Sequence, residues 1–415
     1  MNRADRDLLL GLLELPTAGP LETDGPVRLW QAMHSYALAA NGIGFETVRL
    51  TTATTTAALR PDVPLPVREA VARGPEFLAA QPSLVLRLGP AKPAVMFNVH
   101  LDTVAGAEPV RYTDGRFHGR GAIDAKGPAV ALLAGVRHAL LAEPALGRDV
   151  GVLVQAVSGE EGGALGTIGT RPLVEDGFFG RLNVFCEPTG LRWLSRCTAA
   201  MTASVRVAGQ DAIDDQPHAG HNATVLLGFL AQHLGAALTG QVPDGQVCVA
   251  GLHTGRLHNR VYGTGELLLN LSYGSAGSAQ RLTTLLESGL REGLAEFRAR
   301  FADSPVYRRT AVEAESVTRL NWLKRGLPAL DCRDSWGEAL LDQVVPRWPE
   351  HEPGFTCDAI WLAGVPGTCT VVLGPGSLAA NNAHAEGEFA DERELDRFAE
   401  VVCEILIRFA RNGVA

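Results

Sequence analysis

Apolar runs of strand length recur through the first 198 residues with amphipathic helical stretches between them, and then the rhythm changes. Strands are expected at Phe45–Leu50, Ser83–Leu88, Ala94–Val99, Val150–Val157 and Asn183–Cys186. A helix is expected from Pro128, suited to a first-turn position, to about Ala142, just ahead of Pro144. Such alternation builds a sheet with helices on its faces. From residue 199 the order becomes strand, helix, two strands, helix, strand. The segments are TASVRVAG, Asn222 to Leu238, GQVCVAGLHTG, GELLLNLSYG, SAQRLTTLLESGLREGLAEFRARF and TAVEAESV. That order makes a compact two-layer α+β unit of about 115 residues. The chain then returns to finish the first core. Its closing stretch, DERELDRFAEVVCEILIRFARNG, reads as a helix with Asp391 and Glu394 in a capping pattern and Leu395, Phe398, Val402, Ile405 and Phe409 at helical spacing. The expectation is an α/β fold: a discontinuous domain of residues 1–198 and 318–415, interrupted by an inserted domain of residues 199–317.

Bulk properties narrow the function. A chain of 415 residues exceeds one ordinary core. Its 46 acidic and 37 basic residues give a formal charge of −9 with no clustered Lys/Arg, so no nucleic-acid partner is expected. No segment approaches the roughly 18 consecutive apolar residues of a membrane span, so no membrane partner is expected either. The opening MNRADRDLLLGLLELPTAGP is interrupted by Asp5, Asp7 and Glu14 and reads as an amphipathic first helix. Seven cysteines, odd in number and without C-x-x-C spacing, suit a reducing compartment, and a cytoplasmic location is expected.

The chemistry gathers at the ends of the apolar strands. AVMFNVHLDTV closes on His100 and Asp102, and in extended chain residues i and i+2 point to the same side. A carboxylate behind an imidazole fixes its tautomer, which serves a metal-bound histidine and a triad histidine alike. GRGAIDAKGP then places Asp124 in a Gly-bracketed turn before a helix. SGEEGG follows a strand with Glu160 and Glu161, CEPTG follows another with Glu187, and NNAHAEGEF puts His384 in a loop before the last helix. Strand ends of an open α/β sheet are where such folds place ligands. Carboxylates crowded there repel one another unless cations stand between them. Two His and three carboxylates suit zinc, with cobalt or manganese as alternatives, in an open rather than a closed structural site.

In order and spacing these five motifs resemble the di-zinc amidohydrolases and exopeptidases that include acetylornithine deacetylase, succinyl-diaminopimelate desuccinylase, aminoacylase and the glutamate-releasing carboxypeptidases. The resemblance covers essentially the whole chain. It implies a zinc-exopeptidase-like three-layer α/β/α catalytic domain with an inserted ferredoxin-like lid and dimerisation domain, and hence a homodimer. It implies two Zn²⁺, one held by His100 and Glu187 and the other by Glu161 and His384, with Asp124 bridging. Asp102 would orient His100, Glu160 would be the general base for attack of a metal-bridging hydroxide, and the Asp124–Ala125 peptide bond would be cis. The substrate would be a small N-acyl amino acid or peptide, cleaved at an amide bond.

The inserted domain departs from the family pattern. GQDAIDDQPHAGHNA carries Ile213 where the family supplies an oxyanion-binding histidine, and Ser272 stands where a strand arginine would meet the substrate carboxylate. His218, His221 and His258 are candidate replacements for the first, and Arg260 beside Asn259 for the second. These changes keep a second function class open: an altered relative that binds a peptide or carrier-linked amino acid over structural metals. No G-x-S-x-G elbow is present to support a serine hydrolase.

Overall fold

The computed structural model describes residues 1–412. The chain divides into two compact units, Met1–Cys197 together with the chain from Leu330 onward, and Thr198–Ala329. The first unit opens with α1 (Arg3–Leu13), α2 (Leu29–Asn41), β1 (Glu46–Thr52), β2 (Pro82–Leu88), β3 (Ala94–His100), α3 (Lys126–Ala142), β4 (Gly151–Val157), α4 (Thr170–Glu175) and β5 (Leu182–Phe185). The second holds β6 (Ala199–Ala208), α5 (Ala223–Leu238), β7 (Gly245–His253), β8 (Thr264–Tyr273), α6 (Ala276–Phe301), α7 (Arg308–Val317) and β9 (Thr318–Lys324). The first unit is completed by β10 (Cys369–Val372) and α8 (Glu392–Arg411).

Six strands form the first unit's sheet in the order β1-β2-β4-β3-β5-β10. β1 and β2 enter antiparallel, while β4, β3, β5 and β10 run parallel. A central parallel strand is covered on both faces, and β3 is buried at every residue. The two faces divide by parity. Val95, Phe97 and Val99 join the main core, which α1, α2, α3 and α8 share. On the opposite face Asn98 donates from Nδ2 to Gln155 Oε1 on β4 (2.8 Å) and to Thr170 Oγ1 on α4 (3.0 Å). His100 shares that polar face, at the end of the strand.

Helix α8 closes the core. Asp391 caps it by accepting the Arg393 N–H, and Leu395, Phe398, Val402, Ile405 and Phe409 are fully buried. Each such side chain contributes roughly 1.5–3 kcal/mol of transfer free energy. Close approach to α3 depends on Gly135, where a Cβ would fall 2.6 Å from the Ala399 carbonyl oxygen and 2.7 Å from Val402 Cβ. A larger residue there would push α8 outward.

The second unit's sheet runs β7-β8-β6-β9, all antiparallel. Alternate residues Met201, Ala203, Val205 and Val207 of β6, and Leu267, Leu269, Leu271 and Tyr273 of β8, are buried. Leu226, Leu230 and Leu234 of α5 and Leu282, Leu286 and Phe297 of α6 supply the helical layer. The strand expected at TAVEAESV is instead helix α7. Thr310, Ala311 and Ala314 turn to one buried face, a helical rather than a two-residue period. The last strand follows it at Thr318–Lys324, so this unit runs to Ala329 rather than ending at residue 317.

Candidate metal centre

The parallel strands β3, β4 and β5 deliver their following loops to one edge of the sheet. After His100, the Leu101 N–H donates to Val157 O (2.9 Å), and the Asp102 carboxylate crosses to the loop after β4. There Asp102 Oδ2 accepts the N–H groups of Gly159 (3.0 Å) and Glu161 (3.1 Å). The loops bearing Asp102, Glu160 and Glu161 are thereby stitched together. Asp102 holds His100 through its main chain: Nδ1 lies 3.0 Å from the Asp102 carbonyl oxygen, against 3.7 Å for its Oδ1. Asp102 therefore meets the ring with its carbonyl oxygen in hydrogen-bond reach and its Oδ1 just behind, while Oδ2 is engaged by the β4 loop.

Asp124 lies in the loop before α3, and its peptide bond to Ala125 is cis. Its two oxygens face two imidazoles, Oδ1 to His100 Nε2 at 2.9 Å and Oδ2 to His384 Nε2 at 3.0 Å. Glu187 Oε2 is 4.0 Å from His100 Nε2, and Glu161 Oε1 is 2.9 Å from His384 Nε2. The ligand atoms of His100, Asp124 and Glu187 lie within 4.8 Å of one another, as do those of Asp124, Glu161 and His384, and those of His100, Glu160 and Glu161. His100, Asp124 and Glu187 are buried, whereas the His384 side chain is 48% exposed and its backbone is left-handed at φ 62°.

Burial opposes charge throughout this cluster. It pushes Glu187 up to about 8 and, with the charge of the adjoining Glu161, holds Glu160 well above the carboxylate range. Glu161 is raised by burial as well. Burial also works against ionised Asp124, but hydrogen bonds from His100 and His384 outweigh it and keep that carboxyl low. Burial disfavours a charged His100 too, yet the Asp124 and Glu187 carboxylates raise it well above an ordinary histidine. Hydrogen bonds to Asp124 and Glu161 push His384 up to about 10.

The donor set suits a cation. A carbonyl can only accept, so His100 Nδ1 carries a proton, and the Nε2 lone pair that a neutral ring would expose points at the Asp124 carboxylate. Lone pair facing carboxylate is repulsive unless a proton or a metal ion stands between them.

Two buried acids here carried no signal in the sequence. Glu388 accepts the N–H groups of Gly121 (3.0 Å), Ile123 (3.1 Å) and Asp124 (3.3 Å) and the guanidinium of Arg120 (2.7 Å). It cradles the Asp124 loop, and nothing but its nearness to His384 in the chain hinted at it. Asp358 is fully buried, accepts the Thr170 hydroxyl, and is pushed up to about 7 chiefly by burial. It lies in a loop-rich stretch with no periodic pattern.

In the second unit, His221 is buried and fully engaged. Its Nδ1 accepts the Gln210 N–H (2.9 Å) and its Nε2 lies 3.1 Å from Glu313 Oε2. This corrects its place among the substrate-binding candidates, since neither ring nitrogen is left for a ligand. The Arg260 guanidinium pairs with Asp211, while His218, His258 and Asn259 are exposed. Ile213 is 57% exposed, and Ser272 lies within β8, opposite Ala200 and Gln246.

The model of peptidase family M20/M25/M40 matches residues 96–408. The chain belongs to that family. As an M20 family member it is a metal-dependent hydrolase. Its α/β fold with an inserted domain is shared along the whole chain with other M20 structures. An M20 family metallo-carboxypeptidase from Sulfolobus solfataricus superposes with a TM-score of 0.71 at 12% identity, covering 99% of this chain and 100% of that one. A tripeptidase from Staphylococcus aureus gives 0.70 at 16% identity, covering 98% of each chain. A dinuclear metal binding peptidase of the M20 family from Bacillus subtilis gives 0.57 at 12%, covering 97% of each.

Proposed function

We propose that this M20 protein hydrolyses an amide bond of a small N-acyl amino acid or short peptide, as a deacylase, carboxypeptidase or dipeptidase. The observation that carries this reading is the pair of ligand triplets sharing Asp124, His100–Asp124–Glu187 and Asp124–Glu161–His384. In this reading each triplet holds one divalent cation, zinc by the mixed imidazole and carboxylate chemistry, with cobalt or manganese as alternatives. Such a pair, when bound, polarises the scissile carbonyl and makes a coordinated water more acidic.

The protein's own residues do the rest. The Asp102 carbonyl fixes the His100 tautomer, and its carboxylate holds the Glu160 loop through two N–H groups. Glu160, raised by its buried and acid-rich surroundings, accepts a proton at its carboxylate and returns it to the departing nitrogen. In the second unit His218, His258, Asn259 and Arg260 are the proposed substrate contacts, Arg260 only on release from Asp211. That unit is also the proposed homodimer contact. Its edge strand β7 leaves Val249 and Leu252 each 38% exposed beside unpaired backbone. A cytoplasmic location is supported by seven free cysteines. Among the described residues no helix is long and apolar enough to cross a membrane.

A second reading, ligand binding without turnover, draws on Ile213 and Ser272, which cannot reproduce a histidine donor and an arginine. Metal analysis together with turnover on a panel of N-acyl amino acids and dipeptides separates the two. The hydrolase reading expects metal-dependent cleavage that falls about 10²–10⁴-fold in Glu160→Ala at unchanged metal content. Tight binding with no cleavage by either form would establish the second reading instead.

A further inference from the structure

Glu160 and Glu161 sit in a closed loop after β4, and its return arm fixes them from across the loop. The Gly166 N–H donates to Gly159 O (2.8 Å), the Leu165 N–H to Glu160 O (3.1 Å) and the Ala164 N–H to Glu161 O (3.3 Å). Leu165 makes this closure in left-handed backbone, at φ 46°. A residue with a branched side chain keeps that conformation only where its surroundings impose it.

The surroundings come from the short 3₁₀ helix Asp358–Leu362. Trp361 Nε1 donates to the Leu165 carbonyl oxygen at 2.8 Å. The Leu165–Gly166 peptide is thus bonded at both ends, its oxygen to Trp361 and its N–H to Gly159, the residue before Glu160. Asp358 backs the same arm: a Cβ on Gly166 would fall 2.4 Å from its carboxyl carbon, and that carboxyl accepts the Thr170 hydroxyl at the start of α4. The indole is oriented in turn. The Arg171 guanidinium on α4 lies 4.6 Å from its ring centroid and is held there by Asp62 (2.6 Å) and Glu175 (3.0 Å).

We propose that Trp361 is a positioning residue for Glu160. Its N–H holds the Leu165–Gly166 peptide, that peptide and the Leu165 N–H hold the main chain on either side of the Gly159–Glu160 bond, and the Glu160 carboxylate is thereby kept where it takes up a proton. The inference rests on the hydrolytic reading of the site and adds to it a residue from a distant part of the chain, one that acts through backbone alone.

Trp361→Phe tests it, since the variant keeps an aromatic ring beside Arg171 and removes only the donor. Native-state hydrogen exchange followed by peptide mass analysis needs no turnover. Exchange across residues 159–166 is expected to quicken about ten-fold in the variant while α8 is unchanged. On the best substrate of the panel kcat is expected to fall about ten-fold, with KM and metal content unchanged. In the Glu160→Ala background the same substitution is expected to cost nothing further, because no carboxylate remains to be misplaced. Equal exchange in wild type and variant, or the same loss of kcat in both backgrounds, would overturn the proposal. If the wild type cleaves nothing, the hydrolytic reading falls, while the exchange comparison still upholds or overturns the grip of Trp361 on the loop.

Discussion

The two units hold their polar side chains in opposite ways. In the first, His100, Asp124 and Glu187 are buried and the first two are held, His100 by the Asp102 carbonyl two residues on and the Asp124 loop by the Glu388 carboxylate 264 positions away. In the second, His218, His258 and Asn259 are exposed, and Arg260 pairs with Asp211 at the surface, both side chains open to solvent. A group set in place by sheet topology is ready before a ligand arrives. A group on an exposed loop takes its position from whatever it meets, at a cost in side-chain entropy.

The sharpest test of that contrast is Glu388→Gln, which leaves every proposed ligand in place and weakens only the cradle. Metal affinity, measured by competition with a chromophoric chelator, is expected to fall about 10–100-fold. Unchanged affinity would mean that the Asp124 loop holds its shape unaided. Next comes His221→Ala, which leaves the Gln210 N–H without its acceptor inside the second unit. Denaturant unfolding should show a loss of about 1–3 kcal/mol, while turnover of the metal-loaded protein stays within a few-fold. Turnover collapsing as in Glu160→Ala would return His221 to the chemistry and erase the contrast. The smallest effect concerns pH. His384 in the folded, metal-free protein is raised to about 10, above the unfolded histidine value near 6.5. Its contribution to stability is therefore complete below about 6.5 and lost as pH rises through about 10. The melting temperature of chelator-treated protein should decline across that window, and a flat profile would show that His384 gains nothing from Asp124 and Glu161.

The strand ends were readable because parallel strands must be buried on both faces, and a His or an acid closing such a run stands out against it. Helix α8 was readable from its cap and its spacing. Segment 310–317 was not, because Thr310, Val312 and Val317 are β-formers by type while their burial follows a helix packed within the unit. Helix α2, which has no side-chain cap to mark its start, and strand β10, only four residues long, were also passed over. Glu388 and Asp358 were invisible for another reason. What marks them is the set of backbone N–H groups, a guanidinium and a hydroxyl that reach them from 188 to 268 positions away, and no local pattern encodes that. The role of the Asp102 carbonyl was equally hidden, since every residue owns one.

Asp124 meets His384 across 260 positions of chain, and its own loop rests on Glu388 four residues further on. Proteins are made from the amino end, so the whole stretch from His100 through His384 must leave the ribosome before both imidazoles can find their shared carboxylate. A nascent or truncated product that stops short of His384 would thus carry neither the complete set of acids and imidazoles nor the Glu388 support beneath it.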